Sequence, residues 1–394
     1  MTGIVLSGGG ARGAYEVGVI KGIVEVLGLK PESSSPFDVF TGTSVGAINA
    51  AYLAAHGHRG DLNVAGLTEM WQDLNLVTHF RVDPLGFLSF GHWYRRLRGQ
   101  SREIKGRALL DLEALENTIR GSGIWSQLND NIDSGTVKAL VVAALRISSG
   151  RTALFCQTAP TVNFRPSRDP RRYAVETTIT AEHVLASAAI PLIFPVRFLG
   201  DGWYGDGSLR FNTPISPAIR CGAKRLLVIS LLHENQQYEE PPGDPDMYPG
   251  PAVLLGKLLN ALLLDPIDYD LSVLERFNRL LAVLDESLGP KTRQRVDQVS
   301  TEMRGAAYEP IETLVFSPSG DLGEIAGHHL RERGHIPELG RMGSWFMRRA
   351  AMEDATWELD LASYVLFDGL YLSKLIEMGY RDALARRSEI INFF

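Results

Sequence analysis

The chain has 394 residues, of which 45% are hydrophobic and 22% charged, the balance of a protein that folds in water and neither a disordered chain nor a membrane-embedded bundle. Forty basic residues against 46 acidic ones leave a formal charge of −6, which argues against a globally basic nucleic-acid binder. The length exceeds the usual single core and favours one large α/β domain with additions, or two domains.

In chain order, the apolar run Ile4-Val5-Leu6 has no positive start and breaks at once into Ser7 and glycines. That is not the pattern of a secretory signal, so the expected location is the cytoplasm. Short β-branched runs then alternate with helical patterns: GIVL, a helix over 13–29, FDVFTG, a helix over 45–55, VKALVVAAL, TALFCQT, FPVRFL and RLLVISLL. Such alternation predicts a mostly parallel sheet flanked by helices. In the first helix Ala14, Gly18 and Gly22 fall at i, i+4 and i+8, a stripe of small residues expected to let the helix lie close against the sheet.

The segment 163–172 reads as a solvated loop, and the proline-rich 237–251 as an irregular connection after a strand at 225–232. A boundary is placed there, giving an N-terminal unit over 1–235 and a mainly helical region over 236–394. The most apolar stretch, AVLLGKLLNALLL at 252–264, contains Lys257 and falls short of the ~20 residues a spanning helix needs. Asp265 and Pro266 then suit an N-cap and first helical position, with Ile267, Leu271, Leu274, Phe277, Leu281 and Leu284 on one face. Residues 311–316, IETLVF, are a candidate strand that returns to the main sheet. The remainder is helical in pattern and chemically silent.

Two glycine motifs carry the chemistry. Gly8-Gly9-Gly10-Ala11-Arg12-Gly13 fits G-x-G-x-x-G between a strand and a helix, so a dinucleotide site has to be considered, but that reading needs an acid near the end of the second strand. There the chain instead reads Gly42-Thr43-Ser44-Val45-Gly46. A serine on a sharp strand-to-helix turn needs glycine two residues to each side, because strand and helix approach too closely there for larger side chains. Adjacent parallel strands would set the two loops side by side, placing inward-facing amides beside a nucleophile in the manner of an oxyanion hole.

A serine hydroxyl needs a base. Of nine histidines, His328, His329 and His335 follow in an order that would suit an α/β-hydrolase, while His56, His58, His79, His92 and His183 show no partner pattern. The alternative is Asp206, flanked by Gly205 and Gly207 after a short strand, with Asp201-Gly202 as the better turn pair. Cys156 and Cys221 lack ligand spacing and read as buried thiols. No clustered acidic loop implies calcium, and neither a metal nor a cofactor is expected.

Together these residues resemble the patatin-like phospholipase family. The resemblance rests on Gly8 to Gly13 with Arg12, on Gly42 to Gly46, on Ala186-Ser187-Ala188-Ala189-Ile190-Pro191 and on Asp206-Gly207, and it spans roughly residues 3–232. It implies a three-layer α/β/α sandwich and a Ser-Asp dyad that hydrolyses lipid acyl esters through an acyl-enzyme. Carried over, Ser44 is the nucleophile, Asp206 the general base, and the Gly8, Gly9 and Gly10 amides with Arg12 nearby form the oxyanion site. The family's third block usually reads Asp-Gly-Gly or Asp-Gly-Ala, whereas Ser208 stands here, which leaves open how Asp206 is held.

The implied partner is a lipid ester, a phospholipid or lysophospholipid, and not a nucleic acid. Residues 84–108 combine Phe87, Phe90, Trp93 and Tyr94 with Arg95, Arg96, Arg98, Arg102, Lys105 and Arg107, a segment suited either to peripheral contact with anionic lipid headgroups or to a solvated insert. An acyltransferase using the same acyl-enzyme, a dinucleotide-binding oxidoreductase and an idle lipid-binding scaffold are the rival readings.

Overall fold

The first two β-branched runs form parallel neighbours: β1 (Thr2–Leu6) and β2 (Val39–Thr43) align from Gly3 opposite Val39 to Leu6 opposite Gly42. Both strands therefore release their loops at one edge of the sheet. A computed structural model describes residues 1–74, 81–82, 110–111, 113–121, 123–190, 194–233, 266–287, 289–333 and 358–394.

Helix α1 (Ala14–Val26) follows the first glycine loop, and α2 (Val45–Ala55) begins directly after Ser44. Next come α3 (Val64–Gln72), α4 (Glu113–Gly121) and α5 (Ile124–Asp133). Strands β3 (Arg81–Val82) and β4 (Leu110–Asp111) make a separate antiparallel pair. The main sheet continues with β5 (Ala139–Arg146), β6 (Arg151–Thr158) and β7 (Arg172–Glu176). After α6 (Ala181–Ser187) come the short β8 (Arg197–Phe198), β9 (Trp203–Asp206), α7 (Ile215–Arg220) and β10 (Arg225–Ile229).

The C-terminal part holds α8 (Pro266–Ser287), α9 (Pro290–Arg304), β11 (Glu312–Phe316), α10 (Leu322–Arg333), α11 (Glu358–Val365), α12 (Gly369–Ala385) and α13 (Arg387–Phe393). The strand order is β11-β10-β1-β2-β5-β6-β7, with β8 and β9 joined to the sheet through β5. The five strands from β11 to β5 are mutually parallel, and β6 turns back antiparallel on β5.

Side chains alternate across the strands, so each face buries its own core. Ile4, Leu6, Phe40 and Val142 pack against α1, α2 and α12, while Val5, Val39, Val141 and Val228 pack against α7 and the inner face of α8 at Leu271 and Leu274. Helices thus cover both faces of a mostly parallel sheet, the α/β layering that the strand-helix alternation predicts. Among the described residues no helix is long and apolar enough to cross a membrane.

Three features differ from the sequence expectations. The small stripe of α1 does not face the sheet: a Cβ on Gly18 would fall under 3.0 Å from the backbone of Ile376, and one on Gly22 would meet the Ala383 Cβ at 2.5 Å, both on α12. Gly379 of α12 returns the approach toward the Tyr15 carbonyl. The loop expected at 163–172 ends one residue early, in the unexpected strand β7, which is half-buried from Arg172 to Val175 without alternation. The FPVRFL run contributes only two strand residues, Arg197 and Phe198. The basic and aromatic insert at 84–108, the apolar stretch 252–264, the proline-rich 237–251 and the boundary at 235–236 lie outside the described residues.

Candidate active site

Strand β5 brings Ser44 and Asp206 together. Along one edge it pairs with β2 up to Thr43 opposite Ala143, and then with antiparallel β9 from Asp206 opposite Ala144. The carboxyl ends of β2 and β9 therefore meet on consecutive residues of β5. Ser44 follows the first and Asp206 ends the second. Ser44 Oγ donates to Asp206 Oδ2 at 2.6 Å, with Ser44 3% exposed and Asp206 fully buried.

The elbow is sterically driven. Ser44 sits at φ 55° and ψ −126°, a left-handed conformation that costs a non-glycine residue about 1–3 kcal/mol and persists only where its surroundings enforce it. A Cβ on Gly46 would lie 2.5 Å from the Leu6 carbonyl, and Gly42 is pressed against the backbone of Gly46 and Ala47. Ser187 Oγ fixes the turn from the other side, accepting from Ser44 N at 2.8 Å and donating to the Ala143 carbonyl at 2.6 Å.

Asp206 is held through its backbone surroundings. Its Oδ1 accepts from the Ser208 amide at 2.8 Å, which leaves Oδ2 aimed at Ser44, and its own amide donates to the Ala189 carbonyl at 2.8 Å. Ser208, where the resembled pattern has Gly or Ala, thus leaves the carboxylate anchored, because every residue type but proline supplies that amide. Burial pushes the Asp206 carboxyl up to about 6, and the hydrogen bonds from Ser44 and Ser208 only partly oppose the shift.

The first glycine loop lies against this pair. A Cβ on Gly8 would stand 3.0 Å from the Ser44 Cβ and 2.5 Å from Asn212 Oδ1. The Gly8 amide donates to Asn212 Oδ1 at 2.8 Å, so of the three amides expected to face an oxyanion this one is already engaged. The Gly9 and Gly10 amides have no acceptor among the described residues. Arg12 points elsewhere: its Nε donates to Ser363 Oγ at 2.7 Å and its guanidinium lies 4.2 Å from the Tyr364 ring centroid, both on α11. Arg12 holds the loop to the C-terminal region.

A buried polar chain beneath the loop had no sequence signal. Glu16 accepts from the Ser7 amide at 2.7 Å and from Asn49 Nδ2 at 2.8 Å, and Asn49 Oδ1 accepts from Trp71 Nε1 at 2.9 Å. It ties the glycine loop to α2 and α3, and burial pushes the Glu16 carboxyl up to about 8. An apolar cavity opens from Ser44, lined by Ile48, Trp71, Leu185, Phe194 and Phe367. His329 pairs with Asp368 at 3.1 Å and His183 caps α6. His79, His92 and His335 lie outside the described residues. No cluster of three metal-ligating side chains occurs among the described residues.

The sequence profile of the family described as Patatin-like phospholipase matches residues 4–219. The chain belongs to the patatin-like phospholipase family.

A 52-residue stretch of this patatin-like chain is 48% identical to Lysophospholipase nte1 of Aspergillus terreus (strain NIH 2624 / FGSC A1156), over 13% of this chain and 3% of the fungal protein. The chain therefore matches only a small part of that relative's length. Among solved structures, it is similar to VipD from Legionella pneumophila, with 14% identity, a TM-score of 0.35, and 98% of this chain and 67% of that one covered. It is also similar to human GIVD cytosolic phospholipase A2 in complex with methyl gamma-linolenyl fluorophosphonate, with 14% identity, a TM-score of 0.43, and 100% and 58% covered. Within the patatin-like fold described above, the residues that sequence reasoning missed are Ser187 as the elbow brace, Asn212 as the Gly8 acceptor, Glu16 with Asn49, and the α11 contacts of Arg12.

Proposed function

We propose that this protein is a serine acyl hydrolase that cleaves carboxylic ester bonds of phospholipids or lysophospholipids through an acyl-enzyme on Ser44. The observation that carries the reading is the 2.6 Å hydrogen bond from Ser44 Oγ to Asp206 Oδ2 at the mouth of an apolar cavity. An acyl chain fits such walls, and a carboxylate whose proton affinity is raised by burial is a better base than an aspartate in water.

In this mechanism Asp206 Oδ2 accepts the Ser44 proton as Oγ bonds to the ester carbonyl carbon. The carbonyl oxygen becomes an oxyanion that accepts from the Gly9 and Gly10 amides. The tetrahedral adduct collapses, the bond to the leaving alcohol breaks, and Asp206 returns the proton to that alcohol. Water then attacks the acyl carbon, giving its proton to Asp206, and as the bond to Ser44 Oγ breaks Asp206 returns that proton to Oγ and the free acid leaves.

The test is labelling with a fluorophosphonate probe followed by location of the adduct. Modification of Ser44 in the wild type, none in Ser44→Ala, and a matching loss of lysophospholipid hydrolysis are expected. Hydrolysis by Ser44→Ala at the wild-type rate would remove the proposal.

A further inference from the structure

On the face of the sheet opposite α1 and α2 lies a second cavity of about 250 Å³. Its apolar walls come from Ile215 and Ile219 of α7 and Leu274 and Phe277 of α8, and its rim from Arg304 and Tyr308. Phe277 and Tyr308 stack with centroids 4.4 Å apart and 12° between planes, and the Arg304 guanidinium lies 4.2 Å over Tyr308.

Among the described residues the charge in this cavity is not balanced. Arg172 lies 4.0 Å over the Phe211 ring and makes a long 3.5 Å Nε contact to Asp169, a carboxylate already bonded through both oxygens to Arg171. The two terminal amino groups of Arg172 have no hydrogen-bond acceptor among the described residues. Arg304 donates to the carbonyls of Ala306 and Ala307, and Arg220 behind it, 5% exposed, donates to the carbonyls of Arg165, Pro166 and Arg304 and to Ser216 Oγ. Carbonyls satisfy donors without neutralising charge. Of the carboxylates lining the cavity, Glu309 pairs with Lys224 at 3.0 Å, leaving Asp270.

Arg171, Arg172, Arg220 and Arg304 against Asp169 and Asp270 leave an excess near +2 among the described residues, and charge drawn out of water is ordinarily compensated by a partner. Burial lowers the proton affinity of Arg172, Arg220 and Arg304, and the repulsion of Arg304 and Arg172 adds to it at Arg220, brought down to about 10.

We propose that this cavity is a second ligand site, separate from the chemistry at Ser44, that takes an organic phosphate monoester. The dianionic phosphate is held by Arg172 and Arg304 with the Ser216 hydroxyl as a further donor, and the organic group lies on the Phe277–Tyr308 pair and the isoleucines. A dianion matches the charge excess, and guanidinium groups suit phosphate oxygens. Two sources share this chemistry: the phosphate of a lipid and that of a soluble aromatic monophosphate.

Calorimetric titration of the full chain decides it, with hexyl phosphate, phenyl phosphate, inorganic phosphate and neutral hexanol as probes. None of these offers Ser44 a carboxylic ester. At least one organic phosphate is expected to bind about tenfold or more tightly than inorganic phosphate and hexanol. Preference for hexyl phosphate points to a lipid source and preference for phenyl phosphate to an aromatic one, and either supports the site. Arg172→Gln and Arg304→Gln should each weaken that binding about tenfold while the esterase rate stays at the wild-type value and the protein still unfolds in one cooperative transition. Absence of binding at millimolar concentrations, equal binding of inorganic phosphate, or organic-phosphate binding unchanged in whichever of the two variants is folded overturns the proposal.

Discussion

The carbonyl of Tyr364 stands under 3.0 Å from the point where a Cβ on Gly10 would begin, and Gly10 itself has φ +58°. Backbone strain and a backbone obstacle therefore coincide at one residue of the glycine loop. At Gly9, whose φ of 170° lies outside the left-handed region, the nearest obstacle is the movable end of the Leu231 side chain at 2.5 Å. Gly10→Ala is expected to lower kcat about 10²–10³-fold, the usual cost of losing one oxyanion donor, and Gly9→Ala far less. Steady-state kinetics of the two variants on a chromogenic ester check this. Equal damage would mean that the clash with Tyr364 is not what limits the loop.

Replacing the carboxylate separates catalysis from stability. Asp206→Asn keeps the shape, an acceptor for the Ser208 amide and a partner for Ser44 Oγ, but it cannot take a proton. A fall of at least about 10³-fold in kcat/KM is expected, in the range seen when a base paired with a nucleophile is removed. Wild-type turnover in this variant would exclude Asp206 as the base.

The same group sets a pH window. In the proposed mechanism the base is the Asp206 carboxylate, so kcat/KM should fall about tenfold per unit as pH drops below about 6. The stability effect runs the other way. A carboxyl whose folded value is raised above its unfolded value near 3.8 binds protons more tightly in the folded state, so its ionisation costs stability as pH rises from about 4 to 6. The full cost above that window is about 3 kcal/mol. Thermal melts should show Asp206→Asn gaining on the wild type at pH 8 and not at pH 4. Glu16, pushed up to about 8, acts in the same direction over a wider window, so the comparison is between proteins at fixed pH. An Asp206→Asn variant with no relative gain at pH 8 would rule out the raised proton affinity.

What the sequence revealed followed from how local each constraint is. Gly42 and Gly46 were legible because the obstacle each avoids is created within a few residues of Ser44 or by the neighbouring strand. Asp206 was legible through its flanking glycines and the family resemblance, but not its place beside Ser44, which depends on β2 and β9 sharing an edge of β5, a relation between segments about 160 residues apart. The roles of Ser187, Asn212 and Ser363 were illegible for the same reason, even where the block holding Ser187 stood out: their partners are set by topology, and a single serine or asparagine carries no periodicity. The stripe of Gly18 and Gly22 announced a close approach but not its partner. The strand at Arg172–Glu176 was hidden because its half-buried residues lack the alternation of a one-sided strand.

The pairing of α1 with α12 yields the last prediction, in which two effects oppose each other. Alanine is a better helix former than glycine by about 0.8–1 kcal/mol, so Gly18→Ala in an isolated helix would be stabilising. Here the added methyl would enter the backbone of α12 at Ile376 and Tyr380, which no rotamer change relieves, and overpacking of this kind costs about 1–3 kcal/mol. The clash should win, giving a net loss in urea unfolding. Parting the two helices also shifts Phe367, which lines the cavity beside Ser44 just before α12 begins, so ester hydrolysis should weaken along with stability. A Gly18→Ala protein more stable than the wild type would show that the helices have room to separate and that the C-terminal helix does not hold the cavity wall in place.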